Sequence, residues 1–130
     1  AIQPIRLAGA DEESTSFARR SATVVGWGKD GSGGSGVQKL KYGQVTVISN
    51  TECSNTWNAV NSVICTKAGT GIDACQGDSG GPLVVRSEGE WMQIGVVSYG
   101  DADCPSTRPG VFTRVSSFSK WIKEVTGIEY

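Results

Sequence analysis

Asp73-Ala74-Cys75-Gln76-Gly77-Asp78-Ser79-Gly80-Gly81-Pro82 sets the reading of the whole chain. One hydroxyl, that of Ser79, stands between glycines; an acid precedes it and a proline ends the turn. Glycine allows backbone angles that other residues resist, so a strained Gly-Asp-Ser-Gly turn can hold the Ser79 hydroxyl exposed. The same turn can aim the amides of Gly77 and Ser79 into one hollow, and two convergent N–H donors suit the oxyanion of acyl transfer. The plain alternative is an ordinary surface turn, because Gly, Ser, Asp and Pro are turn residues anyway. A bare Gly-x-Ser-x-Gly favours that alternative, whereas the full octamer Cys75–Pro82 favours a nucleophile loop.

Composition bounds what surrounds this turn. The chain has 130 residues, enough for one domain that buries roughly two-thirds of its surface. Its net charge is −1 with no basic cluster, so nothing points to nucleic acid or to an anionic membrane. No apolar run approaches the ~18 residues of a membrane span. Eighteen glycines and several short apolar runs between turns favour an all-β fold. The four cysteines, at 53, 65, 75 and 104, suggest two disulfides and an oxidising, extracellular compartment. A metal site is a weak reading, because there is no Cys-x-x-Cys pair and no histidine at all. The chain opens Ala1-Ile2, without Met or a signal peptide, as a processed chain would.

The strands can be placed from pattern. Ser21 to Trp27 is β-branched and apolar; Gln44 to Ile48 alternates; Val63-Ile64-Cys65 is short. Pro82 to Val85 and Gln93 to Tyr99 read as a hairpin around Ser87-Glu88-Gly89, and Val111 to Val115 as the last strand. Six such strands suit a small closed antiparallel barrel, which removes exposed edges. Ser49 to Trp57 reads as a short helix capped by Asn50 or Thr51. Phe118, Trp121, Ile122 and Val125 recur with helical spacing, so a C-terminal helix is expected, capped by Ser117 and Gly127, with a stripe whose plain role is packing. Gly31 to Gly36 formally matches Gly-x-Gly-x-x-Gly, but no helix pattern follows it. A flexible Gly-Ser loop is the better reading there than a dinucleotide site.

The octamer Cys-Gln-Gly-Asp-Ser-Gly-Gly-Pro resembles the nucleophile loop of the trypsin/chymotrypsin family of serine proteases. The resemblance extends over nearly the whole chain, through Val25-Gly26-Trp27-Gly28, Thr51-Glu52-Cys53 and Ser98-Tyr99-Gly100. It implies the second six-stranded barrel of a double-barrel fold with its C-terminal α-helix. Residues 1–20 would be the segment crossing between barrels, 21–116 the barrel and 117–127 the helix, with the first barrel absent. The missing histidine is then informative. A serine hydroxyl needs a base to take its proton, and the family's histidine and its orienting aspartate both lie in the first barrel.

The resemblance also assigns roles. Ser79 would be the nucleophile, with Gly77 and Ser79 N–H as the oxyanion hole. Asp78 would be the buried carboxylate that pairs with the amino terminus freed on activation; such a carboxylate needs a partner. Asp73 would floor the pocket for the residue before the cut bond, with Ala74 and Gln76 beside it and Gly100 and Gly110 as open walls. That combination selects Arg or Lys. Ser98, Tyr99 and Gly100 would pair with extended substrate. Tyr99 stands where the family usually has Trp, Phe112 where Tyr is frequent and Ala74 where Ser is frequent. The implied disulfides are Cys53–Cys65 and Cys75–Cys104. A further family bridge would join the positions of Ala22 and Val85, both of which are apolar here.

The resulting reading is one part of a secreted, trypsin-like serine endopeptidase, cutting after Arg or Lys without a cofactor or metal. The triad His and Asp would come from an N-terminal protease chain. A catalytically inactive homologue acting as a binding module is the alternative. Such homologues commonly lose the serine, which is present here. A lone half-protease without its partner would be inactive.

Overall fold

The computed structural model describes residues 2–28, 39–57, 60–67, 78–99 and 109–129. Its strands are β1 (Arg6–Leu7), β2 (Ser21–Gly26), β3 (Lys41–Ile48), β4 (Val63–Thr66), β5 (Pro82–Ser87), β6 (Glu90–Tyr99) and β7 (Gly110–Arg114). The order β6-β5-β2-β3-β4-β7 closes through an additional β6–β7 pairing, and every one of those pairings is antiparallel. The six expected strands thus form a closed barrel, with no free edge among them. The two-residue β1 pairs in parallel along the part of β6 that β7 does not reach, Arg6 opposite Met92 and Leu7 opposite Gln93.

Period-two alternation explains the core. Leu83, Val85, Met92, Ile94 and Phe112 point inward and are buried with Val24, Val45, Val47 and Ile64. Gly95 is where the barrel tightens: a Cβ there would lie 3.1 Å from Phe112 Cβ and 3.2 Å from Leu83 Cβ. Phe112 is therefore a core side chain, and a hydroxyl on it would be buried. Ala22 and Val85 share this core, 2% and 1% exposed, so two apolar side chains pack where the family often has a disulfide. The β5–β6 hairpin is longer than the pattern suggested, because Glu88 and Gly89 alone make the turn, with φ of 51° and 82°. Two successive positive φ values match the right-handed twist of the flanking strands.

The helices differ from expectation at their starts. In α1 (Asn50–Cys53) the cap is Ser49, whose Oγ accepts from Glu52 N at 3.1 Å. Asn50 is occupied elsewhere, its Nδ2 donating to Val60 O and Val63 O. The C-terminal helix α2 (Ser119–Thr126) follows a 3-10 turn over Val115–Phe118, and Phe118 takes the cap position without a side-chain bond. Ser117 does not cap: its Oγ donates to Asn61 O. Gly127 ends the helix with φ 74°, as expected. The apolar stripe does not pack on this barrel. Phe118, Trp121 and Val125 are 39%, 59% and 62% exposed. Phe118 and Trp121 border an open, apolar cleft of about 360 Å³ together with Val96, Thr113, Val115 and Ile122.

Two crosslinks fix the chain's outer segments. Cys53 and Cys65 form a disulfide, both sulfurs buried. A loop of this length is worth roughly 3 kcal/mol in the chain-entropy account. Arg114, 7% exposed, spends its guanidinium on main-chain oxygens of Val63, Thr15 and Ser16 and on Asn50 Oδ1. It ties the irregular N-terminal segment to β4 and α1. Burial holds its pKa below the usual arginine value.

Candidate active site

The Ser79 turn is built from main-chain bonds. Gly81 N donates to Asp78 O at 2.9 Å, closing a four-residue turn over Ser79 and Gly80. Gly80 has φ +85°, the left-handed third position that glycine fills at least cost. Gly80 N then donates to Val97 O at 3.0 Å, and Val97 N to Gly81 O at 2.9 Å. The turn is therefore stapled to β6 one residue before Ser98. Gly81 has no room for a side chain: a Cβ would lie 2.9 Å from Asp78 O and 3.2 Å from Val25 O. Ser79 itself is exposed.

Asp78 is partly buried and turned away from Ser79, onto the bend that follows β2. Gly28 N donates to its Oδ1 at 2.8 Å. The carboxylate fits there because both flanking residues lack side chains. A Cβ on Gly28 would lie 2.6 Å from the carboxyl carbon, and one on Gly26 would overlap Oδ1. This seat was missed in the sequence, although its signal, Gly26-Trp27-Gly28, was in view.

Ser98 and Tyr99 end β6 at the same end of the barrel, and both are exposed. Tyr99 lies opposite Val111 of β7, so Gly110 is its near neighbour. The Tyr99 ring meets Trp57 edge-on, centroids 5.6 Å apart and planes at 86°. Trp57 is fixed in turn by Nε1–H donating to Pro109 O at 2.8 Å. The Trp57 support was not foreseen. A Cβ on Gly110 would lie 3.0 Å from Thr66 Oγ1, so the missing side chain leaves β4 and β7 close together. Ser79, Ser98, Tyr99 and Gly110 are thus brought to one end of the barrel. Asp73, Ala74, Cys75, Gln76, Gly77, Gly100 and Cys104 lie outside the described residues, as does the Gly-Ser loop of 31–36.

The structure thus joins a closed antiparallel barrel, an exposed serine followed by a glycine at the left-handed position, and an acid docked behind it. The family model for Trypsin matches residues 1–122, and the chain belongs to that family. Venom serine protease Bi-VSP of Bombus ignitus is 42% identical over 127 residues, a match covering 90% of this chain and 35% of that protein. Serine protease 1 of Drosophila melanogaster is 35% identical over 130 residues, covering 99% and 48%. The solved structure of HL collagenase superposes with a TM-score of 0.86 at 38% identity, covering 99% of this chain and 56% of that one. The chain therefore spans about half, or less, of the length of these relatives.

Proposed function

We propose that the chain is the nucleophile-bearing part of a trypsin-like serine endopeptidase that cuts after Arg or Lys. The observation that carries this reading is the Ser79 turn: an exposed hydroxyl, glycine at the left-handed position, and three main-chain bonds holding the loop to itself and to β6. In the proposed reaction Ser79 Oγ attacks the carbonyl before the cut bond, and the amides of Gly77 and Ser79 stabilise the oxyanion. A base takes the Ser79 proton and returns it to the leaving amine, which leaves an acyl-enzyme for water to cleave. Asp73 receives the cationic side chain of the substrate, and Ser98 with Tyr99 pairs with its main chain.

The base is outside these residues, since the sequence holds no histidine. We assign it, and its orienting aspartate, to an N-terminal protease part. Two observations support such a partner. The relatives extend well beyond the matched region. The α2 stripe and the cleft beside β6 and β7 are apolar and open to solvent, which monomeric surfaces rarely are over so continuous an area. The Cys53–Cys65 disulfide supports an extracellular location; no helix among the described residues is long and apolar enough to cross a membrane.

Labelling with an organophosphonate and peptide mapping tests the assignment. Ser79 should carry the label in the complete, folded protein. A label on Ser98, or none in a sample that hydrolyses Arg peptides, rejects it. Intact mass of native material should reveal a companion polypeptide, or a longer chain, that contains a histidine; active protein consisting of these 130 residues alone rejects the partner.

A further inference from the structure

At the end of the β5–β6 hairpin away from Ser79, cations, an aromatic ring and a cleft meet. Pro82, next to the serine turn, lies opposite Val96, whereas Arg86 lies opposite Trp91 near the hairpin tip. Arg86 lies four positions along the strand from Pro82, or roughly 13 Å at ~3.3 Å per residue. The Arg86 guanidinium stacks over Trp91, 5.4 Å from the ring centroid. Arg20 reaches across from the start of β2 and donates from Nη2 to Arg86 O at 3.0 Å. Arg19 precedes it, also exposed. None of these three arginines makes an ion pair among the described residues, where the pairs are Arg6–Glu12 and Lys123–Glu129.

Beside this cluster a cleft of about 440 Å³ runs between the hairpin and the N-terminal segment. It exists because β1 pairs with Met92 and Gln93, which lays the preceding residues along the hairpin tip. Pro4, Ile5, Val84 and Trp91 supply the apolar part of its lining, and Gln3, Gly89 and Glu90 complete a lining whose larger share is polar. Trp91 remains 45% exposed.

We propose that this end of the barrel is an exosite for an acidic polypeptide segment with an apolar anchor residue. The anchor enters the cleft between Pro4, Ile5, Val84 and Trp91. Carboxylates beside it meet the guanidinium groups of Arg86 and Arg20, which offer fork-shaped donors suited to carboxylate. The apolar walls distinguish this partner from a plain polyanion. So does Glu90, which lines the cleft and repels uniform negative charge there, as Glu88 does at the turn. Separation from Ser79 lets the segment bind without occupying the serine turn.

Fluorescence anisotropy of a labelled pentapeptide, Glu-Glu-Phe-Glu-Glu, added to the complete protein tests the assignment without reference to catalysis. The peptide should bind, and added salt should weaken it, since exposed charges are screened. The Arg20→Gln/Arg86→Gln double variant should bind at least ~10-fold more weakly, and Trp91→Ser should lose affinity for the Phe peptide. Absence of binding, or equal binding by the double variant, overturns the proposal. It is also overturned if Glu-Glu-Gly-Glu-Glu or a heparin-derived hexasaccharide binds as tightly as the Phe peptide, which would mark a plain polyanion surface.

Discussion

The amide of Gly28 and the carboxylate of Asp78 meet at 2.8 Å across fifty residues of sequence. That bond joins the end of β2 to the residue before Ser79. With the Gly80–Val97 and Val97–Gly81 bonds, it fixes the serine turn on two sides, by β6 and by the bend after β2. Preorganised donors lose less reorganisation free energy at the moment of reaction, so a turn held in this way suits the proposed chemistry.

Substituting Gly26→Ala should therefore slow Ser79 without unfolding the barrel. The new Cβ would occupy the place of Asp78 Oδ1, and the carboxylate would have to leave its seat. Phosphonylation of Ser79 should slow by at least ~10-fold, since a misplaced nucleophile loses much of its advantage. Circular dichroism should retain the wild-type strand signal. An unchanged labelling rate would show that the Asp78 seat does not hold the turn.

Arg114→Met should be strongly destabilising. It removes the charged donor shared by the main-chain oxygens of Val63, Thr15 and Ser16, of which Val63 O keeps its bond from Asn50 Nδ2. Hydrogen bonds to charged groups are worth about 1.5–3 kcal/mol each, so urea unfolding should register a loss of at least ~3 kcal/mol. Arg114→Lys should recover less than half of it, because one ammonium cannot reach oxygens of the N-terminal segment, β4 and α1 together. A loss below ~1 kcal/mol for the Met variant would show that water replaces the guanidinium.

Strand placement was legible where one face is buried and the residues alternate, as Val45 and Val47 do in β3, and where a short apolar run is buried throughout, as in Ile64-Cys65 and Leu83-Val84-Val85. Helix starts were less legible, because several polar residues in a row can each cap. Ser49 won over Asn50 and Thr51 since the Asn50 side chain is drawn to Val60 and Val63. The α2 stripe was visible but its surroundings were not: helical spacing reveals an apolar face, not what covers it. In the site, Ser79 could be picked out from its glycines. The Asp78 seat could not, because the absent side chains of Gly26 and Gly28 matter only once the fold brings position 78 onto them.

The proposed function gives Asp73 the cationic side chain of the substrate to receive. Asp73→Ser should leave Ser79 reactive toward small acylating agents. It should reduce kcat/KM on Arg and Lys peptides by at least ~100-fold, because the substrate's charge is then buried without a partner. Normal cleavage of Arg peptides by this variant would show the pocket to be misaligned.

Ala74 should widen the preference for Arg over Lys. Arg can meet the Asp73 carboxylate directly, through two parallel bonds from its planar guanidinium. Lys is shorter, with a compact ammonium that reaches the acid through water. A serine hydroxyl at position 74 would accept one ammonium proton, whereas alanine offers only a methyl group, so bound Lys loses a partner and Arg keeps its fork. One hydrogen bond to a charged group is worth about 1.5–3 kcal/mol, or one to two decades in rate. Water substitutes in part, which sets the expectation near one decade. Ala74→Ser should raise kcat/KM on Lys peptides toward that on matched Arg peptides, with the Arg rate nearly unchanged. An Arg-to-Lys ratio identical in the wild type and the variant would mean that position 74 does not touch the bound side chain.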